Sequence, residues 1–591
     1  MRLVLHRDIP EDTVLRNQWN ALVEQMGRPE MFYTFEWALA MSRSYHASLK
    51  PLLCLGYQED KLAGVAALAT NAQGSETVFL SGATADYCDF VSSPQRRREF
   101  VNEVLAALRQ MQGPKLVLAN LPAESATLSA LVSALPDSGY RFLSRPAYSC
   151  AQVSLRSTEE RNTVRRSMLR RKSKRRQFAS IEKIAPVKLD HLRCVTEIVQ
   201  SLPDFVRMHV ARCLFTRRLS NLLSSDRRAF VSELAELLSR AGWMTLSRLT
   251  VGDKVVAWNY GFQFAGSWFW YQPTFDVAWQ QHSPGFYLLA RIVEEACSDD
   301  AVKVVDLGLG NEPYKDRLAN GRRHTLHVTA TRSSREWAAG ILRLHAVRAI
   351  GKLPQVEKSL RTARARGSDI LARLRTSGLR ATARWLLLQH QRVITGNEEI
   401  QFFEWPEDRL LWTGQNSSEL RLGGVDLETL ASAAMRYPDD EETLAYLLRS
   451  ANRLRSGKSE AFALREADGS PVHFCWAEPF HTALASELSF KLSVPSERAV
   501  LLFDCWTPAS FRGRGYCQQA ISRLASQLNA SGKRPWIFGS STNTHLLRAI
   551  ESAGLVPRFS VTRKWGRLRL QPSTATSIFP PRARAHASSA A

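Results

Sequence analysis

The chain has 591 residues, enough for roughly three to four domains. Its hydrophobic content of 45% supports packed cores and argues against general disorder. No apolar run approaches the ~18 residues that span a bilayer, and the opening M-R-L-V-L-H-R-D-I-P is too short an apolar stretch for a signal peptide. Nine scattered cysteines, odd in number and without a C-x-x-C pair, point to a reducing cytosol; they predict no disulfide framework and no metal site, structural zinc included. The net charge of +23 is concentrated. Arg161–Arg176 holds nine Lys/Arg and no acid, and Arg332–Arg392 holds fourteen against three acids, so the rest of the chain is close to neutral.

Residues 1–150 read as an α/β unit. A short strand leads to an amphipathic helix around Asp12–Met26, and Trp37 in F-Y-T-F-E-W opens a second helix. Pro51–Tyr57 and Lys61–Thr70 pattern as a hairpin pair. S-G-A-T-A-D-Y-C-D-F follows at Ser81–Phe90, then a helix near Gln95–Met111 and the strand Lys115–Asn120.

Residues 151–331 form a second such unit. The basic run Arg161–Arg176 reads as a helix cationic nearly all round: solvated, attracted to anionic lipid, or bound to RNA. Strands are predicted at Trp243–Val251, Val255–Phe264, Ser267–Gln272 and Val302–Gly308, with a helix at Ser283–Ala296 entered through Pro284-Gly285. The aromatics of Trp258–Trp279 are most economically core residues. Asp306, Glu312, Tyr314 and Lys315 cluster after a buried strand, where α/β sites usually lie.

Residues 332–398 are predicted to be a basic helical linker, with Trp337, Ile341, Leu342, Trp385, Leu386 and Leu387 as apolar anchors for an anionic membrane surface. Residues 399–570 form a C-terminal domain, and 571–591 a disordered tail. Within the C-terminal domain the apolar strand Ala499–Trp506 feeds F-R-G-R-G-Y, Phe511–Tyr516, which opens the helix Cys517–Leu528. Backbone N–H groups at such a turn make an anion pocket. Arg512 and Arg514 add charge there, and Gly513 and Gly515 permit close approach.

This element resembles the acyl-CoA pyrophosphate loop of the GNAT N-acetyltransferase superfamily, Q/R-x-x-G-x-G/A, through Arg512 and Gly515, with Cys517 where Gly or Ala is usual. The strand Trp536–Ser540 and the stretch Asn543–Leu555, with Gly554 at its end, resemble that family's following strand and Asn…Gly helix. The N-terminal 331 residues resemble the CelD/BcsL-type acetyltransferases, related to the FemAB transferases. The resemblance lies in the order F-Y-T-F-E-W, D-Y-C-D-F, basic helix, Y-Q-P-T-F-D, H-S-P-G-F and D-L-G-L-G-N-E-P-Y-K. The expected fold is α/β (α+β): tandem GNAT-like units, a basic helical linker and a C-terminal GNAT domain.

The resemblance implies acyl transfer from acyl-CoA or acetyl-CoA to an amine or hydroxyl, with no metal. Arg512, Gly513, Arg514, Gly515, Tyr516 and Asn543 are the implied cofactor contacts. In the second unit Pro284 and Gly285 stand at the phosphate turn, with His282 just before it. Asp504 stands as a base or as a structural partner of Arg512, and Glu478 and His481 as residues facing the acceptor or as a solvated pair. Glu312 and Lys315 are candidates in the second unit, with Asp86 and Asp89 lining the cleft between the halves. The Tyr that protonates the leaving thiolate in many relatives is replaced here by Ile550. The function implied is an acyl-CoA-dependent acyltransferase, cytoplasmic and peripheral to the inner membrane face, acting on a lipid or glycan precursor of the cell envelope. Two alternatives stay open: a FemAB-like transferase using aminoacyl-tRNA, and a non-catalytic GNAT-fold scaffold binding membrane or nucleic acid.

Overall fold

The computed structural model describes residues 1–111, 115–169, 172–310, 312–350, 398–406, 420–480, 496–564 and 567–572. Most of the linker, the tail after residue 572 and His481 lie outside the described residues, as do the anchors Trp385, Leu386 and Leu387. The chain divides into two compact units, Met1–Arg212 with Asn221–Leu353, and Cys213–Ser220 with Pro354–Ala591.

The first unit is mixed α/β. Asp12 caps the helix Thr13–Glu24, and Thr34 caps Phe35–Ser44, whose Trp37 is fully buried. The hairpin Leu49–Gln58/Lys61–Asn71 forms in the predicted register region. Strands Arg2–His6, Leu49–Gln58, Lys61–Asn71, Glu76–Phe79 and Lys115–Pro122 make the sheet of the first lobe. The second lobe runs Val304–Asp306, Ser267–Phe275, Lys254–Phe264, Met244–Val251 and Val187–Leu192.

The two lobes are one sheet because they exchange strands. Arg141–Ser154, the last strand of the first lobe, lies between Val304–Asp306 and Gly321–Thr331. Gly321–Thr331, the last strand of the second, lies between Arg141–Ser154 and Lys115–Pro122. Each lobe's sheet is therefore completed by the other. The helix Pro284–Ser298 covers the second lobe, burying Phe286, Leu288, Leu289, Ile292 and Val293 in a cluster with Trp268 and Trp270.

The second unit repeats the second lobe's order. Its sheet runs Arg421–Gly424, Glu460–Arg465, Pro471–Pro479, Ala499–Trp506, Arg534–Ser540, Glu398–Glu404, Val556–Lys564 and Arg567–Pro572. Two helices, Leu427–Arg436 and Glu441–Ser456, follow the first strand of this order, as Val195–Phe215 and Ser225–Arg240 follow Val187–Leu192. The strand that precedes the repeat in the chain, Glu398–Glu404, inserts between Arg534–Ser540 and Val556–Lys564, the place Arg141–Ser154 takes in the first unit. The predicted strand, turn, helix and strand around Phe511–Tyr516 are all present.

The basic run is not the uniform cationic helix expected. It comprises the helix Thr158–Thr163, a π-helical stretch Val164–Leu169 and the helix Lys172–Glu182. A Ser157/Glu160 capping box starts it. Arg161 is buried. Its guanidinium donates to the carbonyls of Ala296, Cys297, Asp299 and Val302, satisfying the C-terminal end of helix Pro284–Ser298. Arg165 donates to Cys297 and Ser298. Two of the nine charges are thus internal fasteners. Trp337, an expected membrane anchor, instead donates from Nε1 to the Phe142 carbonyl and stacks under Arg141. No described helix is long and apolar enough to cross a membrane.

Candidate active site

In the second lobe, Ser267–Phe275 pairs in parallel with Val304–Asp306 only as far as Phe269 and Asp306. Beyond that point the two strands part. Parted parallel strands leave backbone groups and a crevice at their carboxyl ends, where α/β ligands bind. Asp306 stands at the fork. Its carboxylate accepts from Tyr87 Oη at 2.9 Å, Gln152 Nε2 at 2.7 Å and the Gly308 N–H at 2.8 Å. Three donors hold it in place.

Asp86, from the first lobe, reaches the same fork. Gly308 has φ +70°, and a Cβ there would lie 2.7 Å from Asp86 Oδ2, so this turn needs glycine both for its backbone and for the carboxyl beside it. Burial pushes the Asp86 carboxyl up to about 7, and the charge of Asp306 adds to the effect. Lys315 and the Leu309 N–H act in the opposite direction. The sequence placed Asp86, with Asp89, along the cleft between the halves; its partnership with Asp306, 220 residues away, appears only in the fold.

A second chain of polar groups runs across the lobes. Arg323 pairs with Glu30 and Glu124 and lies over the Tyr87 ring at 4.2 Å. Burial raises the Glu30 carboxyl to about 8 against the pull of Arg323. On the far half of strand Ser267–Phe275, Tyr271 Oη donates to the Thr84 carbonyl, and Arg227 donates to Tyr271 Oη at 2.9 Å and Gln272 at 3.1 Å. Tyr87 belongs to the D-Y-C-D-F motif, though no role was read for it; Glu30, Arg227 and Arg323 carry no motif and were invisible in the sequence.

The predicted residues of the second lobe separate on inspection. Lys315 is buried; Nζ donates to the Leu309 carbonyl at 2.5 Å and pairs with Glu312 at 2.9 Å, so it fastens the turn beside Asp86. Glu312 is half exposed and serves as that partner. Tyr314 accepts from Trp270 Nε1 at 3.2 Å. His282 sits near Ser180 at 3.4 Å and against the Trp279 ring. Ser283 is left-handed, and Pro284 begins the helix without a side-chain cap. Proline removes one first-turn N–H. A Cβ on Gly285 would stand 3.1 Å from Phe275, so this glycine is accounted for by close packing. Asp89 accepts from Ser125 Oγ at 2.6 Å and lies by Arg97, within the first lobe and away from the fork's hydrogen bonds.

In the second unit the parallel pairing of Ala499–Trp506 with Arg534–Ser540 likewise stops, at Leu502 and Ile537. Asp504 lies at a register shift there, with φ +48°. Its carboxylate takes Arg453 at 2.6 Å, not the expected Arg512, which donates to the Thr507 carbonyl and Glu442, both at 3.1 Å. Glu478 is buried and accepts from Ser459. Both acids therefore have partners within the unit.

The turn itself is open. Gly513 and Gly515 have φ +81° and +77° with nothing near a built Cβ, Arg514 lies over Phe511, and Tyr516 begins a helix that has no side-chain cap. Asn543 is spent on capping Thr544–Ala553 through Leu546 N, Gly554 ends that helix in the left-handed region, and Ile550 is buried in the core. One group of side chains was missed altogether: His473, Cys505 and Cys517 place their donor atoms within 4.8 Å of one another.

Residues 168–316, which include the parted strands of the second lobe, match the family model described as an acetyltransferase (GNAT) domain. Among solved structures, the chain is similar to FemX, at 8% identity over 56% of this chain and 97% of that one, with a TM-score of 0.40. It is similar to L-PGS from Bacillus licheniformis, at 12% over 56% and 96%, TM-score 0.35. It is also similar to a tandem GNAT protein from the clavulanic acid biosynthesis pathway, at 12% over 56% and 98%, TM-score 0.33. No curated protein sequence matches.

Proposed function

We propose that the first unit is an acyltransferase that uses acyl-CoA or acetyl-CoA and delivers the acyl group to an amine or hydroxyl of a lipid or glycan precursor of the cell envelope. The observation that carries this reading is Asp86, a buried carboxyl held near 7 where the strands of the matched domain part. A general base is most effective with a pKa near the working pH. The acceptor attacks the thioester carbonyl while Asp86 takes its proton. The carbon–sulfur bond breaks, and the thiolate leaves with a proton from solvent. Backbone groups freed where the strands part suit the thioester oxygen. Asp306 raises the Asp86 carboxyl further by its charge, and Lys315 holds the backbone beside it through the Leu309 carbonyl.

The second unit, with its open Arg/Gly turn and, among the described residues, Asp504 and Glu478 both engaged by partners, fits CoA binding better than catalysis. The cationic segments suit an anionic membrane surface on the cytoplasmic side, each engaged Lys or Arg adding about 1 kcal/mol.

The test uses the purified full chain. Native mass spectrometry is expected to show a bound CoA ester, and an acceptor panel to release CoA thiol. Absence of CoA-ester binding by calorimetry in a folded protein would overturn the reading. Aminoacyl transfer from tRNA, with tRNA bound and anionic vesicles ignored, would replace it with the FemAB-like alternative.

A further inference from the structure

The expectation of no metal site rested on cysteine spacing along the chain. In the fold, His473, Cys475, Cys505 and Cys517 come from three different elements. His473 and Cys475 are two apart on strand Pro471–Pro479 and so share one face. Cys505 follows Asp504, whose left-handed backbone lies at the register shift opposite Cys475. The result is a Cys505 Sγ to Cys475 Sγ separation of 3.3 Å. Cys517 sits in the first turn of helix Tyr516–Ala530.

The donor atoms of His473, Cys505 and Cys517 lie within 4.8 Å of one another. Around a tetrahedral zinc, with bonds of about 2.3 Å to sulfur and 2.0 Å to nitrogen, ligand atoms stand about 3.5–3.8 Å apart. The cluster needs only a small contraction to reach that spacing.

An independent observation points to an occupant. His473 is 1% exposed, and its Nε2 has no hydrogen-bond partner. A buried ring nitrogen left unsatisfied is costly. Its other nitrogen, Nδ1, lies 2.8 Å from Thr507 Oγ1. That is the arrangement of a metal-binding histidine, one nitrogen oriented by a neighbour and the other presented to the ion. Cys505 and Cys517 are half-buried, which leaves the ion a route in.

We propose that His473 Nε2, Cys505 Sγ and Cys517 Sγ, with Cys475 Sγ as fourth donor, form a zinc site. Two or more thiolates with an imidazole select zinc among the common divalent ions by softness and geometry. Each ligating thiol gives up its proton to solvent on binding. Three donors already lie together, and Cys475 Sγ, 3.3 Å from Cys505 Sγ, would have to turn toward them to close the site as a structural one. Its placement gives it a role: Cys505 lies two residues before Thr507 and Cys517 two after Gly515, so the ion ties together the two ends of the Arg/Gly turn.

The full chain, grown with zinc and purified without chelator, is expected to carry about one zinc per molecule by elemental mass spectrometry. Exchange for cobalt should give the visible spectrum of tetrahedral thiolate-bound cobalt. Cys517→Ser, at a half-buried position, should weaken zinc at least about 100-fold, and Thr507→Val, which removes only the orienting hydroxyl, about 10- to 100-fold. Cys194→Ser, at an exposed cysteine elsewhere, should leave binding unchanged. The proposal is overturned if the folded chain holds less than about a tenth of an equivalent of zinc and takes up no cobalt. It is equally overturned if Cys517→Ser binds cobalt like the parent, or if peptide mapping finds Cys475 and Cys505 joined as a disulfide.

Discussion

In the second lobe, the strand Ser267–Phe275 parts from its parallel neighbour beside two carboxyls, Asp306 pinned by three donors and Asp86 pushed toward neutrality. In the second unit, the counterpart strand Ala499–Trp506 parts beside an Arg453–Asp504 ion pair, while the polar groups on its other face are sulfur and imidazole. The turns differ in the opposite sense. The second unit has two open glycines and an uncapped helix start. The second lobe has a proline and a glycine packed on Phe275. One strand order thus carries a buried carboxyl pair in one copy and an open Arg/Gly turn in the other: the topology is shared and the side chains at the fork are not.

The sharpest way to break this contrast is Asp86→Asn. Turnover should fall about 100-fold or more with CoA-ester affinity unchanged, and the rise of rate with pH through about 7 should vanish. The same variant tests stability. The Asp86 carboxyl sits at about 7 in the fold against an ordinary 3.8, so its contribution is full below about 4 and is lost as pH rises through about 7. Denaturant unfolding should therefore show Asp86→Asn gaining on the parent between pH 4 and 8, by up to about 4 kcal/mol. A turnover loss of less than threefold would move the chemistry elsewhere.

Gly515→Asp is expected to weaken CoA at the second unit more than about tenfold, or ~1.4 kcal/mol, by calorimetry. Gly285→Ala should instead register as stability, about 1–2 kcal/mol in thermal unfolding, because the new methyl meets Phe275 at 3.1 Å. If Gly285→Ala changed affinity with no change in melting, the turn of the second lobe would be a ligand cradle after all. Asp504→Asn should be the mildest, about 1 kcal/mol of stability from the weakened partner of Arg453, with turnover within about twofold of the parent.

Strands and helices of both units were legible because apolar alternation and cap residues are local. Pro284, Gly554 and the Asn543 cap fall where the pattern put them. Chemistry was legible only where it came as a contiguous motif. F-R-G-R-G-Y announced its turn, but Asp504 read equally as a base or as a partner of Arg512, and its actual partner is Arg453, 51 residues earlier. Asp86 and Asp306, Arg161 and its four carbonyls, and His473 with its cysteines are pairings across distant segments. Residue type without the fold gives no warrant to join them. The cysteine argument against a metal site weighed only neighbours in sequence, whereas strands and a helix supply neighbours in space.

The exchange of final strands has a consequence for synthesis. The first lobe's Lys115–Pro122 cannot meet its lateral partner until Gly321–Thr331 has been made, roughly 200 residues later. At ribosomal rates of about 5–20 residues per second this is about 10–40 seconds during which a buried strand's edge stands bare on the nascent chain. Such an edge is a template for pairing with other polypeptides. A product ending between residues 150 and 320 therefore lacks the strand that flanks Lys115–Pro122 in the finished sheet.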